Sequence, residues 1–298
     1  MDGLALHLPV AGARLSEESR EGELSVGGVD CIMVNVGGAT RVFGILADPI
    51  AQVKTPEAMN ALFAVRGLDA VLVPIHVGAS DLETVLAGLR HMRNFGGFIA
   101  TVPHKTAMLP LCDALEGDAA KIGAVNAVRR ERDGRLVGAM LDGTGFVEGL
   151  RASGIDPRGL DAYVAGAGGA AAAIAFALVR AGVSRLTVAN RSRDRADDLQ
   201  RRLMRIYPAL PVSTEEESLA SADLVVNATS LGMQEGDPLP LDVSRLRPSQ
   251  TVAEIIMQPA ETPLVVAARE IGCRVQLGRP MLDAQIVLMA RHMGALNG

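Results

Sequence analysis

The stretch AYVAGAGGAAAAIAFALV, from Ala162 to Val179, decides the fold of this protein, because eighteen consecutive positions carry no charge. A run of that length is also the usual mark of a membrane-spanning helix. Here, however, it divides into a short β-type run, a turn with three glycines, and an alanine-rich helical run that ends near Gly182. A membrane helix would not carry three glycines a third of the way along. We therefore interpret the stretch as the strand, turn and helix of a soluble core.

A strand, a glycine turn and a helix in succession open the kind of βαβ unit that binds a nucleotide. The helix N-terminus in such a unit presents unpaired N–H groups and a partial positive charge to a phosphate. The turn reads GAGGA rather than the full GxGxxG, and its residues are Gly166, Ala167, Gly168, Gly169 and Ala170. Because the short pattern is a weak signal, it needs support from the next strand.

The end of the next predicted strand, RLTVAN, indicates which dinucleotide would bind. An acidic residue at that point would bind the ribose 2′-hydroxyl of NAD. This chain instead carries Asn190, Arg191, Ser192, Arg193 and Arg195. Guanidinium groups and a hydroxyl suit a 2′-phosphate, so the spacing predicts NADP as the cofactor. The alternative interpretation is a solvated helix start with alternating charges.

Composition narrows the class of protein. The 298 residues are 49% hydrophobic and 21% charged, which allows two globular domains. The net charge of −5 gives no reason to expect a nucleic acid or an anionic membrane as a partner. Three scattered cysteines without metal spacing suit reduced thiols, so we predict a cytoplasmic protein with no metal site.

The rest of the chain alternates between predicted strands and helices. RVFGILA, DAVLVPIHV and GGFIATV begin a series of ten predicted strands, with helical stretches between most of them. Such alternation predicts an α/β protein with mostly parallel sheets. The glycine turn opens the second half of the chain, so a separate domain of about a hundred residues precedes the nucleotide domain. The final helix, MLDAQIVLMARHM, is apolar at helical spacing and could pack back on the first domain.

Three polar residues of the first domain are candidates for chemistry. Lys105 follows a strand and a proline turn in ATVPHKTAM, Asp142 ends a strand in GAMLDGTGF, and Asn126 lies in GAVNAV. All three lie where loops leave strand ends, which is where α/β sheets usually place ligand groups. Each also has an ordinary alternative: a surface lysine, a helix N-cap and a turn former.

A series of motifs occurs along the chain in this order: GILADPIAQVKTPEAMN, TVPHK, IGAVNAV, LDGTGF, GAGGA, NRS, NATSLGM, TPL and GRPMLDAQ. Together these motifs resemble those of the shikimate dehydrogenase family. The resemblance covers the chain from about residue 40 to 290. It implies an α/β substrate domain (39–142 plus 280–298), a Rossmann-like NADP domain (143–279) and an active site in the cleft between them. The remaining residues, 1–38, are predicted to form a poorly packed extension, with Met33 as a candidate functional start.

The resemblance also implies roles for individual residues. Lys105 and Asp142 match the family's catalytic pair. The substrate contacts match Val53, Thr55, Thr101, Asn126 and Gln285. The NADP contacts match Gly166, Ala167, Gly168, Gly169, Ala170, Asn190, Arg191, Ser192, Arg193, Arg195, Asn227, Ala228, Thr229, Ile255 and Gly278. The implied activity is the reversible, NADP-dependent reduction of 3-dehydroshikimate to shikimate in aromatic amino acid biosynthesis, by a monomer or homodimer.

Departures from the family pattern leave the substrate open. Two serines that are common in the family are replaced here by Val53 and Thr55, an asparagine by Ile99 and a tyrosine by Met257. The family's NTD at the end of the first domain reads MLD, from Met140 to Asp142. The motif QVKTP, residues 52–56, resembles that of a branch of the family associated with aminoshikimate metabolism. One alternative is therefore a dehydrogenase of quinate or aminoshikimate. Another is a non-catalytic sensor that binds NADP and a shikimate-like effector, although retention of the lysine and aspartate weighs against it.

Overall fold

A computed structural model describes residues 36–296 and two short segments, Ser25–Val26 and Val29–Asp30. These segments pair as antiparallel strands. Most of the predicted extension, and Met33 with it, lies outside the described residues. The predicted α/β class with two domains is confirmed.

The described elements alternate along the chain much as the sequence predicts. The strands are β1 (Ser25–Val26), β2 (Val29–Asp30), β3 (Arg41–Ala47), β4 (Ala70–His76), β5 (Phe95–Ala100), β6 (Ala114–Leu115), β7 (Ala127–Arg130), β8 (Leu136–Ala139), β9 (Asp161–Ala165), β10 (Arg185–Ala189), β11 (Val212–Ser213), β12 (Leu224–Asn227), β13 (Thr251–Glu254) and β14 (Arg274–Gln276). The α-helices are α1 (Thr55–Val65), α2 (Leu82–His91), α3 (Ala119–Ile122), α4 (Asp142–Ala152), α5 (Gly169–Ala181), α6 (Arg193–Ile206), α7 (Pro263–Ile271) and α8 (Arg279–His292).

The first sheet has the strand order β4-β3-β5-β7-β8-β6 and is not entirely parallel. Strand β7 runs antiparallel to both β5 and β8. The reason is local: β7 and β8 are joined by a short turn around Gly134, whose positive φ of 90° suits a hairpin. As a consequence, the carboxyl ends of β5 and β8 and the amino end of β7 meet at one edge of the sheet.

The second sheet has the order β11-β10-β9-β12-β13-β14, and every pair in it is parallel. Counted from β9, this is the order 3-2-1-4-5-6 of a doubly wound dinucleotide fold. The strand order reverses between β9 and β12, and the glycine turn follows β9. Ligands of such sheets bind outside the carboxyl ends of the strands at this reversal.

Helix α5 explains the charge-free stretch. Its residues from Ala171 to Phe176 are all buried, so this part of the helix has no face that meets water. The helix ends at Gly182, which adopts a left-handed conformation with φ of 92°. Among the residues that the structure describes, no helix has both the length and the apolar character needed to cross a membrane.

Helix α4 joins the two domains by packing against α5 on one side and α8 on another. Glycines on α4 make this approach possible. A Cβ at Gly143 would overlap the carbonyl oxygen of Ala173, and one at Gly149 would lie 2.8 Å from the backbone nitrogen of Met281. The far end of α8 enters the core of the first sheet, where Met289 packs in a cluster with Phe43. On this basis we propose the boundaries 39–142 plus 280–298 for one domain and 143–279 for the other.

Gly143→Ala is expected to destabilise the protein by about 1–3 kcal/mol, the usual cost of overpacking. The new Cβ would meet the backbone of Ala173 and lie 2.8 Å from the Cβ of Ala177, and a backbone obstacle cannot rotate away. Gly88→Ala on α2 is the matched control: nothing lies within 4 Å of its Cβ. That variant should gain about 0.5–1 kcal/mol from helix propensity. Urea unfolding of both variants tests the pair, and equal free energies of unfolding would contradict the packing argument.

Candidate active site

The carboxyl edges of the two sheets face each other across a cavity of about 720 Å³. The first domain contributes the loops after β3 and β5 and the start of α4. The second domain contributes the turn after β9 and the loops after β12 and β13. The cavity lining includes Val53, Thr55, Ile99, Thr101, Lys105, Asn126, Asp142, Gly168, Gly169, Ala170, Ala228, Thr229, Ile255, Met257 and Gln285.

An ion pair between Lys105 and Asp142 lies in the wall of this cavity. The Nζ of Lys105 donates to Oδ2 of Asp142 at 2.5 Å. The aspartate side chain is 5% exposed and the lysine side chain 20% exposed, so the lysine is the member that solvent or a ligand reaches more readily. These residues stand 37 positions apart in the chain, and the structure brings them into direct contact.

The local fold determines where the two charged groups lie. Lys105 belongs to the turn after β5, which is held by a hydrogen bond from the backbone nitrogen of Val125 to the Lys105 carbonyl at 2.8 Å. Asp142 is the first residue of α4, and the N-cap position belongs to Leu141. The ordinary interpretation of Asp142 as an N-cap is therefore wrong. A carboxylate in the first turn is nevertheless favoured by the helix dipole.

Two amide side chains complete the hydrogen bonding of Asp142. The Nδ2 of Asn126 and the Nε2 of Gln285 both donate to Oδ1, at 2.5 and 2.7 Å. Asn126 lies just before β7, and the antiparallel direction of that strand brings it to the same sheet edge as Asp142. Gln285 comes from α8. It fits against α4 because Gly145 of that helix has no Cβ. Three donors thus orient one buried carboxylate toward the cavity.

The other predicted substrate residues line the same cavity. Thr55 is the first residue of α1, and Thr101 follows β5. Val53, Ile99 and Met257 add apolar surface between these polar groups. The predicted substrate contacts are therefore brought together, although their polar side chains are fewer than the family pattern implies.

The turn after β9 has the shape that a dinucleotide phosphate requires. Gly166 has φ of 120°, and a Cβ there would lie 2.7 Å from the carbonyl oxygen of Ala228. A Cβ at Gly168 would meet nothing within 4 Å, so the space in front of the turn is open. Helix α5 begins at Gly169 and directs its first N–H groups toward that space. The residues present fit a bound diphosphate.

The residues after β10 divide into two groups. The Arg193 guanidinium is already engaged within the second domain: it donates to Asp197 at 3.2 Å and to the carbonyl of Thr214 at 3.0 Å. The side chains of Arg191 and Arg195 are exposed and form no ion pair with any described residue. Asn190 and Ser192 lie in the same turn, where the Asn190 amide donates to the Ser192 carbonyl at 3.0 Å. This segment does not line the cavity but lies beside it, at the next strand end.

The remaining predicted cofactor residues differ in position. Ala228, Thr229 and Ile255 line the cavity, whereas Gly166, Ala167, Asn227 and Gly278 are not among its lining residues. At Gly278 a Cβ would lie 2.6 Å from the carbonyl oxygen of Ile256, so this glycine permits close packing of α8 on the loop. Asn227 is fully buried and donates to the carboxylate of Glu254.

Sequence reasoning missed Glu254, which has no exposed surface. Burial raises the pKa of this carboxyl above its ordinary value. The sequence did contain a sign of this residue, because Glu254 is an acidic residue inside the otherwise apolar TVAEIIM. A strand that is buried on both faces seldom carries a charge.

The described residues give less support to a metal site or to a cysteine nucleophile. Within residues 36–296 and the two short strands, no three His, Cys, Asp or Glu side chains converge as a metal site would require. Burial raises the pKa of Cys112 to about 11, so this thiol is poorly suited to be a nucleophile.

A glycine turn at the strand reversal and a buried lysine–aspartate pair across the cleft define a two-domain, dinucleotide-dependent oxidoreductase. Comparison with known proteins agrees. Residues 45–128 match the family model described as the shikimate dehydrogenase substrate binding domain, and residues 154–233 match the one described as shikimate / quinate 5-dehydrogenase. The chain belongs to the shikimate dehydrogenase family.

Individual relatives are similar over most of the chain. A shikimate dehydrogenase (NADP(+)) of Rubrobacter xylanophilus is 43% identical over 251 residues, which are 83% of this chain and 88% of the relative. The shikimate 5-dehydrogenase of Thermus thermophilus, solved in complex with NADP(H) and shikimate, is 32% identical with a TM-score of 0.78, covering 86% and 94% of the two chains. The quinate dehydrogenase of Corynebacterium glutamicum, solved with NAD, is 31% identical with a TM-score of 0.79 over the same shares.

Proposed function

We propose that this chain is an NADP-dependent shikimate dehydrogenase that interconverts 3-dehydroshikimate and shikimate. The observation that carries the proposal is the 2.5 Å contact of Lys105 with Asp142 in a cavity that also contains the glycine turn. We further propose a cytoplasmic enzyme of aromatic amino acid biosynthesis, active as a monomer or homodimer.

The pair accounts for the part of the reaction that the protein must perform. NADP, when bound, supplies the hydride acceptor for alcohol oxidation and the hydride donor for the reverse reaction. The hydroxyl proton must leave the same substrate, and Lys105 is the more exposed member of the ion pair with Asp142. Asp142 holds the lysine in place and can accept a hydrogen bond from the substrate hydroxyl. Asn126 and Gln285 keep the carboxylate in that orientation.

The polar lining suits a small polyhydroxylated substrate. Thr55 and Thr101 offer hydroxyl groups to the cavity, and Gln285 lines it as well. We propose these three residues, together with Asn126, as substrate contacts, with Val53 as a neighbouring apolar contact.

A second candidate substrate is a related cyclic hydroxy acid such as quinate or aminoshikimate. The observation that favours it is the apolar surface of Val53, Ile99 and Met257 within the cavity. A substrate polar group left without a partner in a buried position costs about 1–3 kcal/mol. Two such losses are large enough to change the preferred substrate.

The test is a panel of shikimate, quinate and aminoshikimate with NADP or NAD, compared by kcat/KM. Highest kcat/KM for shikimate with NADP supports the proposal, and a preference for another acid supports the second candidate. No turnover with any acid, combined with intact binding by calorimetry, would instead favour the non-catalytic sensor.

The double variant Arg191→Ala/Arg195→Ala is expected to lower the preference for NADP over NAD. A hydrogen bond to a charged group is worth about 1.5–3 kcal/mol, so the ratio of the two kcat/KM values should fall by about 10- to 100-fold. Arg201→Ala removes an equally exposed charge from α6 and serves as the control. An unchanged ratio in the double variant would show that neither guanidinium reads the 2′-phosphate.

A further inference from the structure

Glu254 is a buried carboxyl group that takes part in no ion pair among the described residues. Its two oxygens accept five hydrogen bonds. The Nδ2 of Asn227 donates to both carboxylate oxygens at 3.1 and 2.9 Å, and the hydroxyl of Thr262 donates at 2.8 Å. The backbone N–H groups of Ile255 and Ile256 donate to Oε1 at 2.8 and 3.0 Å. Burying a charge in this way is costly unless every lone pair is used.

These donors connect the two loops of the second domain that line the cavity. Ile255 and Ile256 belong to the loop after β13 and line the cavity directly. Asn227 ends β12, and its Oδ1 accepts from the backbone nitrogen and the hydroxyl of Thr229 at 3.1 and 2.7 Å. Since Thr229 also lines the cavity, one carboxylate anchors both loops from behind.

The position of these loops indicates which half of a dinucleotide they face. A doubly wound sheet binds the two mononucleotide halves on either side of the strand reversal. Arg191 and Arg195, which form no ion pair with any described residue, follow β10, so we expect the 2′-phosphate and its adenosine on the β9–β11 side. The loops after β12 and β13 therefore face the nicotinamide half, in the same cavity as Lys105 and Asp142.

We propose that Glu254 is a positioning residue that holds the loops after β12 and β13 in the shape that accepts the nicotinamide half of the cofactor. It touches neither cofactor nor substrate and acts through Asn227, Thr229 and the backbone of Ile255 and Ile256. The inference rests on the proposed function only for the identity of the ligand, because the hydrogen bonds belong to the free protein.

Glu254→Gln is the first test, measured by amide hydrogen exchange on the cofactor-free protein. The substitution replaces one acceptor oxygen by an amide nitrogen that faces the Asn227 donor. We expect exchange in residues 228–232 and 255–258 to accelerate by about 10- to 100-fold, the effect of losing a hydrogen bond to a charged group. Binding of NADPH, followed by fluorescence, should weaken by a similar factor.

Gln250→Leu is the matched control, because Gln250 precedes the opposite end of β13. It is 1% exposed, and its Nε2 donates to the carbonyls of Leu219 and Ala222 at 2.8 and 2.7 Å. Loss of these bonds should lower the melting temperature without changing exchange in the cavity loops or the Kd for NADPH. Lower stability of Glu254→Gln with wild-type loop exchange and wild-type Kd would overturn the proposal.

Asn227→Ala covers the case in which Glu254→Gln does not fold. It separates the β12 loop from the carboxylate but leaves the donors of Ile255, Ile256 and Thr262 in place. Faster exchange should then be confined to residues 228–232, and unchanged exchange there would equally overturn the proposal. Absence of shikimate turnover by the wild-type protein would refute the proposed function alone, since the exchange and NADPH-binding measurements do not depend on the substrate.

Discussion

Replacement of Lys105 by alanine is expected to lower kcat by about 10²–10⁴-fold, the usual contribution of positioned proton transfer. The variant removes the acid–base group that contacts Asp142 at 2.5 Å and is the more exposed member of the pair. The glycine turn after β9 is untouched, so the Kd for NADP should change little. Steady-state oxidation of shikimate and calorimetric titration with NADP measure the two quantities separately.

The variant should still fold, because Asp142 keeps its hydrogen bonds from Asn126 and Gln285. Lys121→Ala provides a control, since Lys121 is an exposed lysine of α3 paired with Asp118 at 2.9 Å. It should retain wild-type kcat. If Lys105→Ala turned over at the wild-type rate, Lys105 would have no part in the mechanism.

Asp142→Asn is expected to have a comparably large effect for a different reason. The carboxylate accepts three hydrogen bonds and donates none, so the new amide nitrogen would face either Lys105 or the amides of Asn126 and Gln285. Two donors in contact repel each other, and the variant would lose the alignment of the lysine as well as an acceptor for the substrate hydroxyl. We expect kcat to fall by about 10²–10⁴-fold and the KM for shikimate to rise.

Asp283→Asn separates this effect from a general loss of charge. Asp283 lies on α8 like Gln285, but it is a partly exposed residue that pairs with Arg279 at 2.6 Å. Its replacement should leave kcat and KM unchanged, because exposed pairs contribute little. Wild-type kinetics in Asp142→Asn would mean that the carboxylate neither aligns Lys105 nor contacts the substrate.

Most of the fold could be predicted from local patterns. The ten predicted strands are all present, and the predicted final helix packs on the first domain as α8. The glycine turn was predicted to open a nucleotide-binding βαβ unit, and it does connect β9 to α5. Gly166 takes φ of 120° there, and a Cβ at this position would lie 2.7 Å from the carbonyl oxygen of Ala228. The antiparallel direction of β7 was harder to predict from the sequence. The alternation of elements predicted mostly parallel sheets but did not identify which strand runs antiparallel to its neighbours.

The candidate site was predictable residue by residue but not as a geometry. Lys105, Asn126 and Asp142 were candidates because each leaves a strand end. Their mutual contact depends on the antiparallel β7 and on α8, which brings Gln285 to Asp142 across 143 positions. Arg193 is a residue whose predicted role the contacts do not favour. The sequence pattern groups it with Arg191 and Arg195 as an NADP contact, but its side chain donates hydrogen bonds to Asp197 and to the carbonyl of Thr214.

The sequence by itself therefore determined the alternation of elements, the glycine turn and the identity of the polar groups at strand ends. These follow from backbone preferences and hydrophobic periodicity, which act over a few residues. Only the tertiary structure decided that Asp142 receives three donors, that Glu254 accepts hydrogen bonds from residues of two loops, and that Arg193 pairs with Asp197. Such contacts join distant segments, and they form because buried charges and amides must find hydrogen-bond partners wherever packing has placed them.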